Sequence, residues 1–479
     1  MGKKEAVMAK RFDVTVIGAG PAGYVAAIRA SQLGLRAAIV ERKYWGGVCL
    51  NLGCIPTKSL LKNAEVAHTL QERGPELGFS FDNLILDYAT AFKRSRQVSS
   101  RLVKGVQLLT RANKIASFEG TAAIIGRNEI RVMLNAGDQE RIETENMIVA
   151  TGARPRSIPG VAIDGETVIS YEEAILSATL PRSAIIIGAG PIGIEFAYIW
   201  RSYGVDVTIV EMMDRILPLE DPESSAALAR AYKRLKIRMV TGATVTGVDT
   251  ASGSVRVTLC RGEETETLEA DKALIATGFQ PNVAGIGLET VGVQLTERGG
   301  FIQVDDQMST NVSGIYAAGD VTGKLMLAHV GSAMGVAAAE AIASRSGATA
   351  PPRPLNYTMM PRCVYAHPQV ASFGYTEEQA RENGYEPRVG KSLFLANGKA
   401  LSLGEREGFV KIVSDGNTGE LLGAHLVGPD VTELLPELTL AQAQELTAVE
   451  IGRTVHAHPT LSEALMEAAH AVEGQSIHG

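Results

Sequence analysis

The sequence predicts an α/β chain carrying two Rossmann-like, doubly wound units. Three observations predict it. First, a short β-rich run, residues 12–17, enters Gly18-Ala19-Gly20-Pro21-Ala22-Gly23; a helix-forming stretch follows, and a second run, residues 37–41, ends in Glu41. Second, the same order returns: residues 184–187 enter Gly188-Ala189-Gly190-Pro191-Ile192-Gly193, and the run VTIVE ends in Glu211. Third, each copy closes alike, with the apolar runs 147–150 and 273–276 leading into Thr151-Gly152 and Thr277-Gly278. From first glycine to acid, Gly18 to Glu41 and Gly188 to Glu211, the distance is the same 23 positions.

Each part of this pattern has a physical reason. The first glycine permits the tight turn, the second lets backbone approach a pyrophosphate, and the third lets helix and strand pack closely. The helix N-terminus offers free N–H groups to the phosphates. The acid at the end of the second strand accepts a ribose hydroxyl and repels a 2′-phosphate. Arg215 is a nearby cation, but Asp214 stands beside it. Residues 310–320, TNVSGIYAAGD, read as a strand leading to Asp320, a carboxylate suited to a ribityl or ribose hydroxyl. Met326-Leu327-Ala328-His329 then opens a long Ala- and Gly-rich helix over 331–344. Two dinucleotide sites in one chain imply electrons passing between a retained flavin and an exchanging nicotinamide.

Composition removes other classes. At 479 residues the chain holds more than one ordinary domain. A net charge of −7 gives no electrostatic footprint for nucleic acid. No stretch of 18 apolar residues free of charge predicts a membrane span. The opening MGKKEAVMAKR has no apolar core before a cleavage site and no Ser or Thr at position 6, so neither a secretory signal nor myristoylation is expected. Four cysteines are too few for a secreted disulfide scaffold, which points to a reducing, cytosolic setting.

Two of those cysteines, Cys49 and Cys54, lie in GGVCLNLGCIPTKS, residues 46–59. They lack CxxC spacing and a second Cys or His pair, so no metal site is expected. Residues five apart on a helix are about 7.5 Å apart along its axis, whereas a disulfide needs Cα atoms roughly 4.4–6.8 Å apart. A Cys49–Cys54 bond would therefore require a distorted first turn, which Gly53 and Pro56 permit. A helix N-terminus, and Lys58 one turn beyond Cys54, favour a thiolate. Near the other end, HAHPTLSE supplies His456, His458 and Glu463. A histidine with a glutamate across a turn forms a base with its orienting carboxylate, and the pattern leaves open which histidine it is. Thr460 or Ser462 is expected to cap the following helix. Cys260 and Cys363 match no redox motif and read as core or strand residues.

From about residue 11 to 475 these stretches together resemble the flavin-dependent pyridine nucleotide–disulfide oxidoreductases. The resemblance implies an FAD-binding domain over 1–155 and 281–354, an NAD-binding domain over 156–280, and an α+β dimerisation domain over 355–479. It implies that Cys49 is the interchange thiol, Cys54 the thiol against the flavin, and Lys58 a flavin contact paired with Glu195. His458 would be the acid/base oriented by Glu463, reaching the disulfide from the other subunit of a homodimer. To the cofactor contacts Gly18, Gly20, Gly23, Glu41, Thr151, Gly152, Asp320, Gly188, Gly190, Gly193, Glu211 and Gly278 it adds Gly120, Met326, Leu327, Ala328, His329 and Val245. The implied reaction is oxidation of protein-bound dihydrolipoamide with reduction of NAD+. The implied partners are the E2 acyltransferase core of a 2-oxo acid dehydrogenase complex or a glycine cleavage lipoyl protein. Other members stand as alternatives. Mercuric reductases carry a C-terminal cysteine pair that AVEGQSIHG lacks; glutathione reductases place arginines where Glu211 stands and an aromatic gate where Pro191 stands. A regulatory or binding subunit is the remaining alternative, though binding alone needs none of Cys49, Cys54, His458 and Glu463.

Overall fold

The computed structural model describes residues 10–250, 253–345 and 347–478; the reading of the first nine residues lies outside them. Contacts divide the chain into two compact units. One takes the chain up to Ser59, Phe92–Arg156 and Gly278–Tyr357; the other takes Leu60–Ala91, Ser157–Thr277 and the chain from Thr358 on.

The first unit opens with β1 (Lys10–Ile17), α1 (Pro21–Gln32) and β2 (Ala37–Glu41), followed by α2 (Gly47–Asn51) and the start of α3 (Cys54–His68). After α4 (Tyr88–Ala112) come β3 (Ala116–Gly126), β4 (Glu129–Leu134), β5 (Gln139–Val149) and the short β6 (Ala153–Pro155). β1 is central: Val16 pairs in parallel with Ile39 of β2 and with Ile148 of β5. Buried on both faces, it runs VTVI without an exposed position, as a central parallel strand does. β3 pairs parallel with β2, then β3, β4 and β5 form an antiparallel meander back to the centre.

The second unit continues with β7 (Val168–Ile169), α5 (Tyr171–Leu176), β8 (Ser183–Ile187), α6 (Pro191–Ser202), β9 (Asp206–Val210), α7 (Pro222–Arg234) and β10 (Arg238–Val240). An antiparallel trio follows, β11 (Thr244–Asp249), β12 (Val255–Arg261) and β13 (Glu264–Ala270), before β14 (Lys272–Ile275). The order β10-β9-β8-β14-β7 is wholly parallel, with the second glycine loop after its middle strand β8.

The chain returns to the first unit with β15 (Phe279–Pro281), paired to β6, then α8 (Leu288–Val291), β16 (Ile315–Ala317) and α9 (Ala328–Arg345). β16 extends the first sheet beside β5. The strand expected over 310–320 is only these three residues, because Val312 to Ile315 is a turn closed by Ile315 N–H to Val312 O. α9 lies on α1 so closely that a Cβ on Gly335 would sit 2.3 Å from Ala22 O.

The C-terminal part of the second unit is the antiparallel sheet β17-β18-β21-β20-β19: β17 (Arg362–Val364), β18 (Gln369–Gly374), β19 (Pro387–Leu393), β20 (Phe409–Asp415) and β21 (Leu421–Gly428). With it run α10 (Glu377–Glu382), α11 (Gly398–Leu403), α12 (Val431–Ala443), α13 (Ala448–Arg453) and α14 (Glu463–Val472). Val410, Ile412, Leu426, Leu435, Leu465 and Ala468 form the centre of its apolar core. Residues 60–91, expected with the first domain, group with this unit. Arg73 joins them to it, donating to Glu405 (2.8 Å) and to Leu403 O (3.0 Å), and His68 packs its ring against Tyr198 and His367.

Candidate active site

The two glycine loops are built alike. Gly18 has φ +105° and Gly188 +106°, a region L side chains rarely enter. A Cβ on Gly23 would lie 1.8 Å from Gly18 O, and one on Gly193 would lie 2.0 Å from Gly188 O. Helices α1 and α6 each start with proline just after an extended glycine, and no side chain caps either end. Their first-turn N–H groups are thus open to a phosphate, so the residues fit a dinucleotide at both loops.

The acids do more than the sequence suggested. Glu41 accepts the N–H groups of Ala19 (2.7 Å), Lys43 (2.8 Å) and Tyr44 (2.9 Å). Glu211 accepts those of Ala189 (2.7 Å) and Met213 (2.9 Å). Each carboxylate therefore braces the middle residue of its own glycine loop, 22 positions earlier in the chain in both copies.

The cysteine segment sits on the first loop. Gly46 N–H donates to Ala19 O (2.8 Å), and a Cβ on Gly47 would lie 2.6 Å from Gly20 Cα. The expected single distorted helix is instead two. Cys49 lies in the five-residue α2 and Cys54 opens α3, with Leu52 and Gly53 both donating to Val48 O (2.7 Å each) at the break. That break lets residues five apart face each other, which one regular helix forbids. Both thiols are reduced and half-buried. The Cys49 thiol is pushed far above its ordinary range, first by its hydrogen bond with Cys54, then by burial and by the Cys54 charge; Lys58 acts in the opposite direction. Asp320 faces the same region, and burial raises its carboxyl to about 6. Among the described residues no donor offsets that burial, so it suits a hydroxyl-bearing ligand.

The other residues expected as cofactor contacts lie as follows. Thr151 Oγ1 donates to Asn282 O (2.7 Å), and Gly152 turns with φ +70°. Met326, Leu327 and Ala328 are half-buried at the start of α9, and His329 is exposed. Gly120 lies in β3 opposite Leu134. Val245 lies in β11 opposite Leu259, and Gly278, with φ +103°, accepts Arg156 N–H (3.0 Å). Cys260 and Cys363 are strand residues of β12 and β17. Glu195 is buried in α6, where its carboxylate accepts Tyr365 N–H (3.0 Å). No sequence signal pointed to that backbone donor.

The two histidines separate cleanly. The His456 side chain is buried and engaged at both ring nitrogens, Nδ1 to Thr454 O (2.8 Å) and Nε2 to Glu437 (2.9 Å). His458 is bonded at Nδ1 to Glu463 (2.9 Å) and its side chain is 76% exposed, so Nε2 faces outward. Glu463 also accepts Thr460 N–H (2.8 Å). Burial alone would raise its carboxyl, but these two hydrogen bonds and the charge of His458 hold it below its usual range. Neither Thr460 nor Ser462 caps α14 as expected: their hydroxyls bond to each other (2.9 Å), and Ser462 makes no cap bond.

Residues 12–335 match the pyridine nucleotide-disulphide oxidoreductase family, and residues 360–469 match its dimerisation domain. The chain belongs to the pyridine nucleotide-disulphide oxidoreductase family. It is 49% identical over 475 residues to dihydrolipoyl dehydrogenase of Corynebacterium glutamicum, covering 98% of this chain and 100% of that one. It is 50% identical to dihydrolipoyl dehydrogenase of Mycobacterium leprae, covering 98% and 99%. Among solved structures, LpdA from Mycobacterium tuberculosis superposes with a TM-score of 0.88 at 28% identity, covering 96% of this chain and 99% of that one. The flavoprotein disulfide reductase RclA from Escherichia coli, as its Cu(II) complex, gives 0.84 at 26% identity, covering 96% and 99%. The family's dimerisation domain matches the five-stranded C-terminal sheet and its helices. Among the described residues of this oxidoreductase, no helix is long and apolar enough to cross a membrane, and no three His, Cys, Asp or Glu cluster as metal ligands.

Proposed function

We propose that this chain is a dihydrolipoyl dehydrogenase, oxidising protein-bound dihydrolipoamide to lipoamide and reducing NAD+ to NADH. The observation that carries it is the Cys49–Cys54 thiol pair seated on the first glycine loop. The near-full-length similarity to dihydrolipoyl dehydrogenases supports the substrate.

The chemistry follows from the residues. In the oxidised chain Cys49 and Cys54 share a disulfide. A substrate thiol, deprotonated by His458, attacks Cys49 Sγ; a new S–S bond forms and Cys54 leaves as thiolate. The second substrate thiol attacks the mixed disulfide, closes the lipoyl ring and releases Cys49, which takes a proton. The substrate has lost two electrons and the cysteine pair has gained them. Bound FAD would supply the acceptor for this electron pair and the hydride donor for NAD+. Glu463 holds His458 in one tautomer and steadies its protonated form. Lys58 and Asp320 would hold the flavin; Glu211 would select NAD+ over its 2′-phosphate by charge.

The same reading makes the working unit a homodimer, with His458 serving the cysteine pair of the other subunit. Its setting is cytoplasmic, and its partner is an E2 acyltransferase core or a glycine cleavage lipoyl protein. The test compares dihydrolipoamide plus NAD+ with glutathione disulfide plus NADPH. The first pair should turn over and the second should not; a strong preference for the second sinks the lipoamide assignment.

A further inference from the structure

A lysine is out of place in the C-terminal sheet. β20 reads FVKIVSD and every residue of it is buried, Lys411 included at 4% exposure. A buried ammonium is costly unless carboxylates meet it. Two do: Lys411 Nζ donates to Asp221 Oδ2 (3.0 Å) and to Glu223 Oε1 (2.8 Å). Asp221 is itself only 1% exposed, and its other oxygen caps α7, accepting the N–H groups of Glu223 (3.0 Å) and Ser224 (3.3 Å). One residue earlier, buried Glu220 accepts from Ser372 Oγ of β18 (2.5 Å) and faces Arg362 of β17 (3.5 Å).

From this anchor a chain of buried bonds runs to the second glycine loop. Ser225 Oγ, in the first turn of α7, donates to Leu217 O (3.1 Å). Leu217, held at φ +44°, donates its N–H to Ala189 O (2.9 Å), the middle residue of the loop. Ala189 N–H in turn is the group braced by Glu211. The segment between Glu211 and Asp221 is thus tied to the loop at one end and to the C-terminal sheet at the other.

We propose that Lys411 is a positioning residue for the pyridine nucleotide: through Asp221, Ser225 and Leu217 it fixes the second glycine loop on the C-terminal sheet. This rests on the reading that the second loop holds the pyridine nucleotide. A lysine serving only as a structural tie would affect every property together. A positioning lysine affects the nucleotide alone, because a loop whose backbone must meet a pyrophosphate loses affinity when it shifts by a fraction of an ångström.

The test uses the flavin-loaded dimer and ADP-ribose as probe, followed by calorimetry, with steady-state kinetics alongside. Lys411→Met should weaken ADP-ribose binding and raise the KM for NAD+ about tenfold. Flavin content, kcat and the KM for dihydrolipoamide should stay within about twofold. Lys411→Arg should recover most of the affinity. Ser225→Ala, a small change that cuts the same chain, should weaken ADP-ribose severalfold and decides the matter if Lys411→Met does not fold. Lys391→Ala, which removes only the half-buried second partner of Glu223, serves as the control. If the unaltered protein binds no ADP-ribose, the nucleotide reading itself falls. If it binds and the variants bind equally well, or if flavin content and both KM values change together, the positioning role is overturned.

Discussion

His458 and His456 are two residues apart and could not be ranked from HAHPTLSE alone. Their surroundings rank them: His456 spends both ring nitrogens inside the chain, whereas His458 keeps Nε2 outward beside an ionised Glu463. Replacing His458 with Gln should lower dihydrolipoamide turnover about 10²–10⁴-fold, the usual worth of a general base. His456→Gln should leave turnover nearly intact and lower stability by about 1 kcal/mol through its lost hydrogen bonds. The reverse order, read by turnover and urea unfolding, would reassign the base. Cys49→Ser should retain bound flavin, seen in its absorbance, and lose dihydrolipoamide turnover; unchanged turnover would remove the pair from the chemistry.

At the scale of elements, the glycine loops were the most legible part. Three glycines, a proline at the helix start and an acid at fixed distance encode turn, packing and brace within about two dozen residues. Gly193→Ala places a methyl group 2.0 Å from Gly188 O. It should raise the KM for NAD+ at least about tenfold with flavin retained, whereas Gly23→Ala should reduce flavin content. The break between α2 and α3 was not legible. The segment is held from outside it: Ala19 O receives Gly46 N–H, and Arg96 donates to Asn51 O (2.6 Å). The N-terminus of α7 carries a pH signature as well. Burial would raise the Glu223 carboxyl, but hydrogen bonds from Lys391 and Lys411 bring it down to about 2 from 4.5. A carboxyl lowered on folding stabilises the fold above its unfolded value, and that contribution fades as pH falls from about 4.5 towards about 2. Wild type should therefore exceed Glu223→Gln in urea resistance at neutral pH, and the gap should close over that acid window. A gap independent of pH would show that the ion pairs do not supply it.

For the whole molecule, the question is which subunit supplies the base. If His458 serves the cysteine pair of its partner, inactive Cys49→Ser and His458→Gln subunits should complement each other. Random reassortment makes about half of the dimers mixed, each with one intact site of two, so activity should return to about a quarter of wild type. No recovery after verified exchange would place each base with its own cysteines.

The sequence by itself determined the duplicated nucleotide units, the thiol pair, and the His-Glu pairing five residues apart. Each of these is encoded by neighbours in the chain, where spacing alone sets which groups can meet. Tertiary structure decided the rest: which histidine stays free, how the cysteine segment breaks into two helices, and why residues 60–91 join the second unit. It also decided that Lys411 meets Asp221 across 190 positions. Such contacts depend on sheet order and on the cost of leaving a buried charge or backbone group unmet, and no local pattern carries that information.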